Sequence, residues 1–162
     1  LSNSDEGAWY YEQIDLGYNY RMTELQAALG VSQMQNLHSI TIQRHVIAKK
    51  YDDLLRDLPV ITPYQIQNSY SGLHLYVIRL DFNQTSKTRK EIYEAMRAAN
   101  IGVNVHYIPV HLQPYYQDLG FKKGDFPVAE EYYASALTLP MHPKLSDDDL
   151  NYIVSTLKEA LE

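Results

Sequence analysis

The sequence predicts an α/β fold, and three stretches carry that expectation. Residues 74 to 107 read as strand, helix and strand. Residues 36 to 58 form a long helical stretch leading into them. The chain then closes on an amphipathic helix with a dense polar start at Ser146.

Residues 1 to 15 read as an irregular lead-in anchored by Trp9-Tyr10-Tyr11. Thr23 is an N-cap, and Glu24 suits the positive end of the helix that follows. Leu25, Ala28, Leu29 and Ser32 form a small-residue face through Gly30. A helical glycine costs about 1 kcal/mol relative to alanine, so close approach of another helix or a cofactor pocket is its motive. In the second helical stretch Ile40, Ile47, Tyr51, Leu54 and Leu58 share one stripe, opposite Arg44, Lys49, Lys50, Asp53 and Arg56. A bend is expected near His38, and Pro59 closes the helix.

After a loop at residues 69 to 72, a strand over residues 74 to 80 places Leu75, Val77 and Arg79 on one face. Thr85 or Ser86 caps a helix running to Ala99, with Ile92, Ala95, Met96 and Ala99 inward. Asn100-Ile101-Gly102 stops it, and residues 103 to 107 return as a strand. Residues 108 to 126 form a proline- and aromatic-rich loop region holding a short helix around Tyr115 to Leu119. Pro127 opens a helix carrying Ala129, Tyr132, Tyr133 and Ala136, and Leu137-Thr138-Leu139-Pro140 is a short strand. In the last helix Asp147, Asp148 and Asp149 follow the Ser146 cap and Leu145 staples to Leu150. Leu150, Ile153, Val154, Leu157 and Leu161 form its buried face.

Composition narrows the function classes. A chain of 162 residues fits one domain, and its net charge of -6 without a basic patch argues against a nucleic-acid partner. No apolar run approaches the roughly 20 residues of a membrane span, and the acidic start lacks the regions of a signal peptide. Cysteine is absent, which removes disulfides and thiolate chemistry and is compatible with the cytoplasmic location expected. Tyrosine, at 15 residues against 3 Phe, suits either a polar aromatic-lined site or core positions with a wet hydroxyl.

Two constellations could carry chemistry. Tyr18-Asn19-Tyr20-Arg21 lies just before a helix N-terminus, where Asn19 can donate and Arg21 can fork onto phosphate or carboxylate. Loop packing with a structural Arg21 ion pair is the plainer alternative. The second is Gly102-Val103-Asn104-Val105-His106-Tyr107-Ile108-Pro109-Val110-His111, leading into Gln113-Pro114-Tyr115-Tyr116. His106 could donate, act as a base or ligate, or could be a satisfied structural histidine. The spacing of His106 and His111 does not match a helical zinc pair, so no metal site is expected. Lys49 and Lys50 sit beside Asp52 and Asp53 on a solvated face, and no lysine reads as catalytic.

Leu16-Gly17-Tyr18-Asn19-Tyr20-Arg21-Met22, with Glu24-Leu25-Gln26-Ala27-Ala28-Leu29-Gly30, resembles a signature of the DegT/DnrJ/EryC1/StrS aminotransferases of nucleotide-linked sugars. His106-Tyr107-x-Pro109 and Leu137-Thr138-Leu139-Pro140-Met141-His142 resemble that family's later landmarks, so the likeness spans essentially the whole chain. Residues 102 to 116 are most similar to its pseudaminic acid branch.

The resemblance implies the C-terminal small domain of an aspartate-aminotransferase-type (fold type I) enzyme, with its long interdomain helix. Residues 1 to 35 would be the remnant of the large domain, 36 to 58 the connecting helix and 59 to 162 the small domain. The intact homodimer would use pyridoxal 5'-phosphate (PLP) to move an amino group from glutamate to the 4-keto carbon of a UDP-linked deoxysugar. Asn19 would reach the PLP phosphate of the partner subunit's site, with Tyr20 and Arg21 in the same interface loop. His106 and Tyr107 would line the sugar-nucleotide pocket. The family's Schiff-base lysine and cofactor-ring aspartate would precede residue 1, so this chain alone would be inactive. The alternatives are a non-catalytic nucleotide-sugar-binding or protein-interaction module, and a dehydrating relative with histidine in the lysine's place.

Overall fold

A computed structural model describes Asp15, Gly17, Tyr18 and residues 20 to 162. The Trp9-Tyr10-Tyr11 anchor, Leu16 and Asn19 lie outside the described residues. The chain divides into two compact units, Leu1–Leu37 and His38–Glu162.

The first unit contains helix α1 (Glu24–Met34). Thr23 Oγ1 accepts from the Gln26 N–H at 3.3 Å, and the Gln26 side chain accepts from the Thr23 N–H at 3.0 Å. This reciprocal box satisfies two donors that a helix start leaves open. α1 buries none of its residues, and Leu25, Leu29, Val31 and Met34 are all exposed. A turn at Gln35 and Asn36 interrupts the helical run, slightly before the bend expected at His38.

Helix α2 (Leu37–Leu54) buries Thr41, Ile47, Ala48 and Tyr51, and the stripe continues to Leu55 rather than Leu54. Positions 41, 48, 51 and 55 keep one helical phase, whereas Leu54 lies about 100° around the axis from Leu55 and faces out. Strand β1 (Val60–Ile61), which the sequence reading missed, pairs antiparallel with β2 (Tyr76–Leu80). β2 also pairs antiparallel with β3 (Ala136–Leu139), giving the order β1-β2-β3.

The buried face of β2 is Tyr76, Ile78 and Leu80, and Val77 and Arg79 share its half-buried face. Tyr76 can occupy the core because its hydroxyl donates to the Asp52 carboxylate, and its ring stacks on Tyr51 at 4.8 Å. Tyr51 in turn donates to the Pro140 carbonyl at 2.9 Å. These contacts tie α2 to the strands.

Helix α3 (Arg89–Ala98) starts at Thr88, not at Thr85 or Ser86. Thr88 alone of the three has a glutamate three residues on, and Glu91 returns a bond to its N–H at 2.7 Å. The Thr85 hydroxyl instead donates to the Leu161 carbonyl at 2.8 Å. Ile92 and Met96 face inward as expected, but Ala95 is exposed. The helix ends with Asn100 at φ 60, the Asn100 N–H on Arg97 O and the Ile101 N–H on Met96 O. That is a Schellman ending with asparagine in the left-handed position, closed by the buried pair Met96 and Ile101.

Residues 103 to 107 are not a strand. They contribute only the bridge Asn104↔Thr138, so the expected strand, helix and strand unit does not form. Asn104 Oδ1 accepts from the Val105 N–H at 2.8 Å, a local bond that competes with ladder pairing. Helices α4 (Pro114–Asp118) and α5 (Pro127–Ser135) follow, and Ala136, expected in a helix, opens β3.

Helix α6 (Asp147–Leu161) matches its expected face residue by residue, with Leu150, Ile153, Val154, Leu157 and Leu161 buried. It packs on α3, and its face joins Tyr51, Leu55, Ile78, Ile92, Met96 and Leu137 in one core. Each fully buried apolar side chain contributes about 1.5–3 kcal/mol relative to exposure.

Candidate functional site

Tyr20 and Arg21 lie in the first unit, immediately before the capped start of α1. Both are exposed, and the Tyr20 ring stacks on Tyr18 at 5.7 Å. A guanidinium, a phenol and a helix start in one short segment form a donor set suited to phosphate. They therefore fit the phosphate end of the expected cofactor. Among the described residues no lysine is buried, and Lys50 pairs with Asp147.

His106 and Tyr107 lie in the second unit, joined by a cis peptide bond. The backbones of Asn104 and Thr138 bond in both directions, at 2.7 and 3.2 Å, pinning the segment against β3. His106 Nδ1 lies 2.8 Å from Thr138 Oγ1, and Asn104 Nδ2 lies 3.4 Å from His106 Nε2. The Val105 N–H on Asn104 Oδ1 orients that amide so that its NH2 faces the ring. His106 Nε2 is then an acceptor, and Nδ1 carries the proton it donates to Thr138. Both nitrogens have partners within the chain, which fixes the ring rather than leaving it free as a base or ligand.

Tyr107 is 70% exposed and packs edge-on to His106 at 4.4 Å. It borders an apolar cleft of about 640 Å³ with Pro109, Phe126, Pro127, Val128 and Tyr132. A cleft of this size with a phenol at its edge suits a small organic ligand.

The loop beyond is built on His111, which is 7% exposed. Its Nε2 donates to Glu130 at 2.8 Å, and Glu130 also accepts from the Gly124 N–H at 2.7 Å. The His111 bond first, and the Gly124 N–H second, hold the Glu130 carboxyl below the usual range. His111 thus ties the 3-10 turn Val110–Leu112 to α5, which is a structural task. Among the described residues no three His, Asp or Glu side chains converge as metal ligands.

Sequence reasoning missed the roles of Asn104 and Thr138 as partners of His106, and Glu130 altogether. Thr138 left a signal: a hydroxyl between Leu137 and Leu139 in a short strand needs a partner if all are buried, and all are.

A profile of the "DegT/DnrJ/EryC1/StrS aminotransferase family" matches residues 2–158. The chain is 39% identical to the spore coat polysaccharide biosynthesis protein SpsC of Bacillus subtilis, over 98% of this chain and 42% of that protein. The PLP form of the putative sugar aminotransferase Spr1654 from Streptococcus pneumoniae superposes with a TM-score of 0.84 at 31% identity, covering 96% of this chain and 40% of that one. Helicobacter pylori PseC, an aminotransferase involved in the biosynthesis of pseudoaminic acid, gives 0.83 at 27% identity, covering 96% and 42%. The chain thus spans about two-fifths of the length of the proteins it matches.

Proposed function

Because the chain belongs to the DegT/DnrJ/EryC1/StrS aminotransferase family, we propose that it is the C-terminal part of a PLP-dependent sugar-nucleotide aminotransferase. The reaction is transfer of an amino group from glutamate to the 4-keto carbon of a UDP-linked deoxysugar. The observation that carries this reading is the family match over residues 2–158, on a chain covering only about two-fifths of its relatives. The likeness of residues 102 to 116 to the pseudaminic acid branch, together with the similarity to PseC, supports that pathway. Residues 1 to 35, 36 to 58 and 59 to 162 serve as large-domain remnant, connecting helix and small domain.

PLP, when bound, supplies the electron sink for moving the amino group. This chain's own residues bind and orient. Asn19 and Arg21 donate to the phosphate across a homodimer interface, with Tyr20 beside them. Tyr107 presents its hydroxyl to the sugar nucleotide, and His106 holds Tyr107 in place through its fixed ring. Thr138 and Asn104 keep that ring in one orientation, lowering the cost of ordering the pocket when substrate arrives. The amine that carries the cofactor belongs to the segment before residue 1, so the chain alone does not turn over.

The test is glutamate-dependent amination of a UDP-linked 4-keto-6-deoxysugar by the full reading frame, with PLP added. The reading expects turnover that falls when Tyr107→Phe or Arg21→Ala is introduced. A full-length protein that binds PLP but aminates no nucleotide-linked keto sugar would overturn it.

A further inference from the structure

Glu130 joins three segments through a single oxygen. Its Oε1 accepts from His111 Nε2 at 2.8 Å and from the Gly124 N–H at 2.7 Å, while its own backbone belongs to α5. The Glu130 side chain is 14% exposed and that of His111 7%, so both bonds are largely shielded from water. Hydrogen bonds to a shielded carboxylate are strong, and losing the acceptor leaves two donors unpaired.

The three segments meet at Phe126. This residue follows Gly124 by two positions, immediately precedes α5, and its ring centre lies 4.8 Å from that of His111. Phe126 stands at the N-cap of α5, where its side chain cannot accept from the open N–H groups. Glu130, in the first turn, supplies the negative charge that a helix start favours. Gly124 holds φ 98, a left-handed backbone that glycine takes without cost. Phe126 is in turn a wall of two hollows. One is the cleft of about 640 Å³ that Tyr107 borders, and the other, of about 320 Å³, is lined by Val110, Tyr116 and Phe121. Where the Phe126 ring sits therefore sets the shape of the first cleft. Glu130 does not itself line that cleft, so its effect on a ligand there is carried by Phe126.

We propose that Glu130 is a positioning residue for substrate binding, acting through Phe126 to fix the wall of the cleft beside Tyr107. The proposal rests on the reading of that cleft as the sugar-nucleotide pocket. A wall already in place spares the ligand the cost of ordering it, so Glu130 governs affinity rather than the chemical step.

The experiment measures steady-state kinetics of the full reading frame with PLP and saturating glutamate, varying a UDP-linked 4-keto-6-deoxysugar. Glu130→Ala raises KM for the sugar about fivefold or more and leaves kcat within about twofold, the pattern of lost binding rather than lost chemistry. Glu130→Gln keeps an oxygen for both donors and restores most of the KM. Glu130→Asp keeps the charge, withdraws the oxygen by a methylene and raises KM in the same direction. Phe126→Ala also raises KM, and combining it with Glu130→Ala adds little, because residues acting through one contact do not add. Changes in 1H–15N spectra confined to residues 107 to 132 show that each variant is folded. A KM unmoved in Glu130→Ala, a fall in kcat with KM unchanged, or fully additive effects of the two alanine variants would each overturn this proposal alone. A wild-type protein without turnover would overturn the aminotransferase reading and this proposal together.

Discussion

His106 Nδ1 lies 2.8 Å from the buried hydroxyl of Thr138, a contact that holds the ring against β3. The Asn104 amide, its Oδ1 held by the Val105 N–H and its NH2 facing Nε2, assigns the ring proton to Nδ1. Thr138→Val keeps the shape of the side chain and removes only the hydroxyl. It should cost about 1 kcal/mol in urea unfolding, and Thr138→Ser should restore most of it. Imidazole 15N shifts provide the decisive readout. The native protein should show the Nδ1–H form of His106, and an Nε2–H form would contradict the assignment.

Two core tyrosines resist ionisation. Burial pushes the Tyr51 hydroxyl up, with the Asp149 charge adding to it. Burial pushes Tyr76 up further, followed by its hydrogen bond to Asp52. Since both are raised on folding, their contribution is complete below the unfolded tyrosine value of about 10 and is lost as pH rises above it. Absorbance titration should show two tyrosines that ionise only with alkaline unfolding. Early ionisation of all 15 tyrosines in the folded protein would contradict this.

Acid works through the helix caps. The Ser146 hydroxyl and N–H hold Asp149 low, the Thr88 hydroxyl and N–H hold Glu91 low, and His111 holds Glu130 low. Depressed carboxyls stabilise above the unfolded value of about 4 and lose that effect as pH falls through their folded values. The urea midpoint should therefore drop through that window. Ser146→Ala should lower the neutral-pH midpoint and make the drop shallower, because Asp149 loses its largest source of depression. An unchanged pH slope would count against the cap as the cause.

The exposed apolar side chains of α1 should make the isolated chain associate. Leu25 is 85% exposed and Val31 65%, on a helix that buries nothing. Exposed apolar groups of this kind mark contact surfaces. Light scattering should show mass rising with concentration, and Leu25→Lys with Val31→Lys should suppress the rise. A wild-type chain that stays monomeric at high concentration would refute the expectation.

Legibility in the sequence followed how many independent signals agreed. At α6 the cap, the acidic first turn and five apolar positions point the same way, and every expected buried residue is buried. At residues 103 to 107 the alternating pattern suggested a strand, but Asn104 bonds its own neighbour and the segment keeps a single bridge. Three hydroxyls near α3 competed as caps, and only the Glu91 partner singles out Thr88. The candidate site could be read as a motif at His106-Tyr107, whereas the residue that fixes the His106 ring, Thr138, sits 32 residues away and is joined to it only once β3 is placed.

The most direct test of the central claim compares the 162-residue chain with the same chain joined to its upstream coding segment. Both are given PLP, glutamate and a UDP-linked 4-keto-6-deoxysugar, and amino-sugar formation is followed. The account predicts product from the joined protein only, with no cofactor absorbance retained by the 162-residue chain after desalting. Turnover by the 162-residue chain alone, or none from a joined protein saturated with PLP, would contradict it.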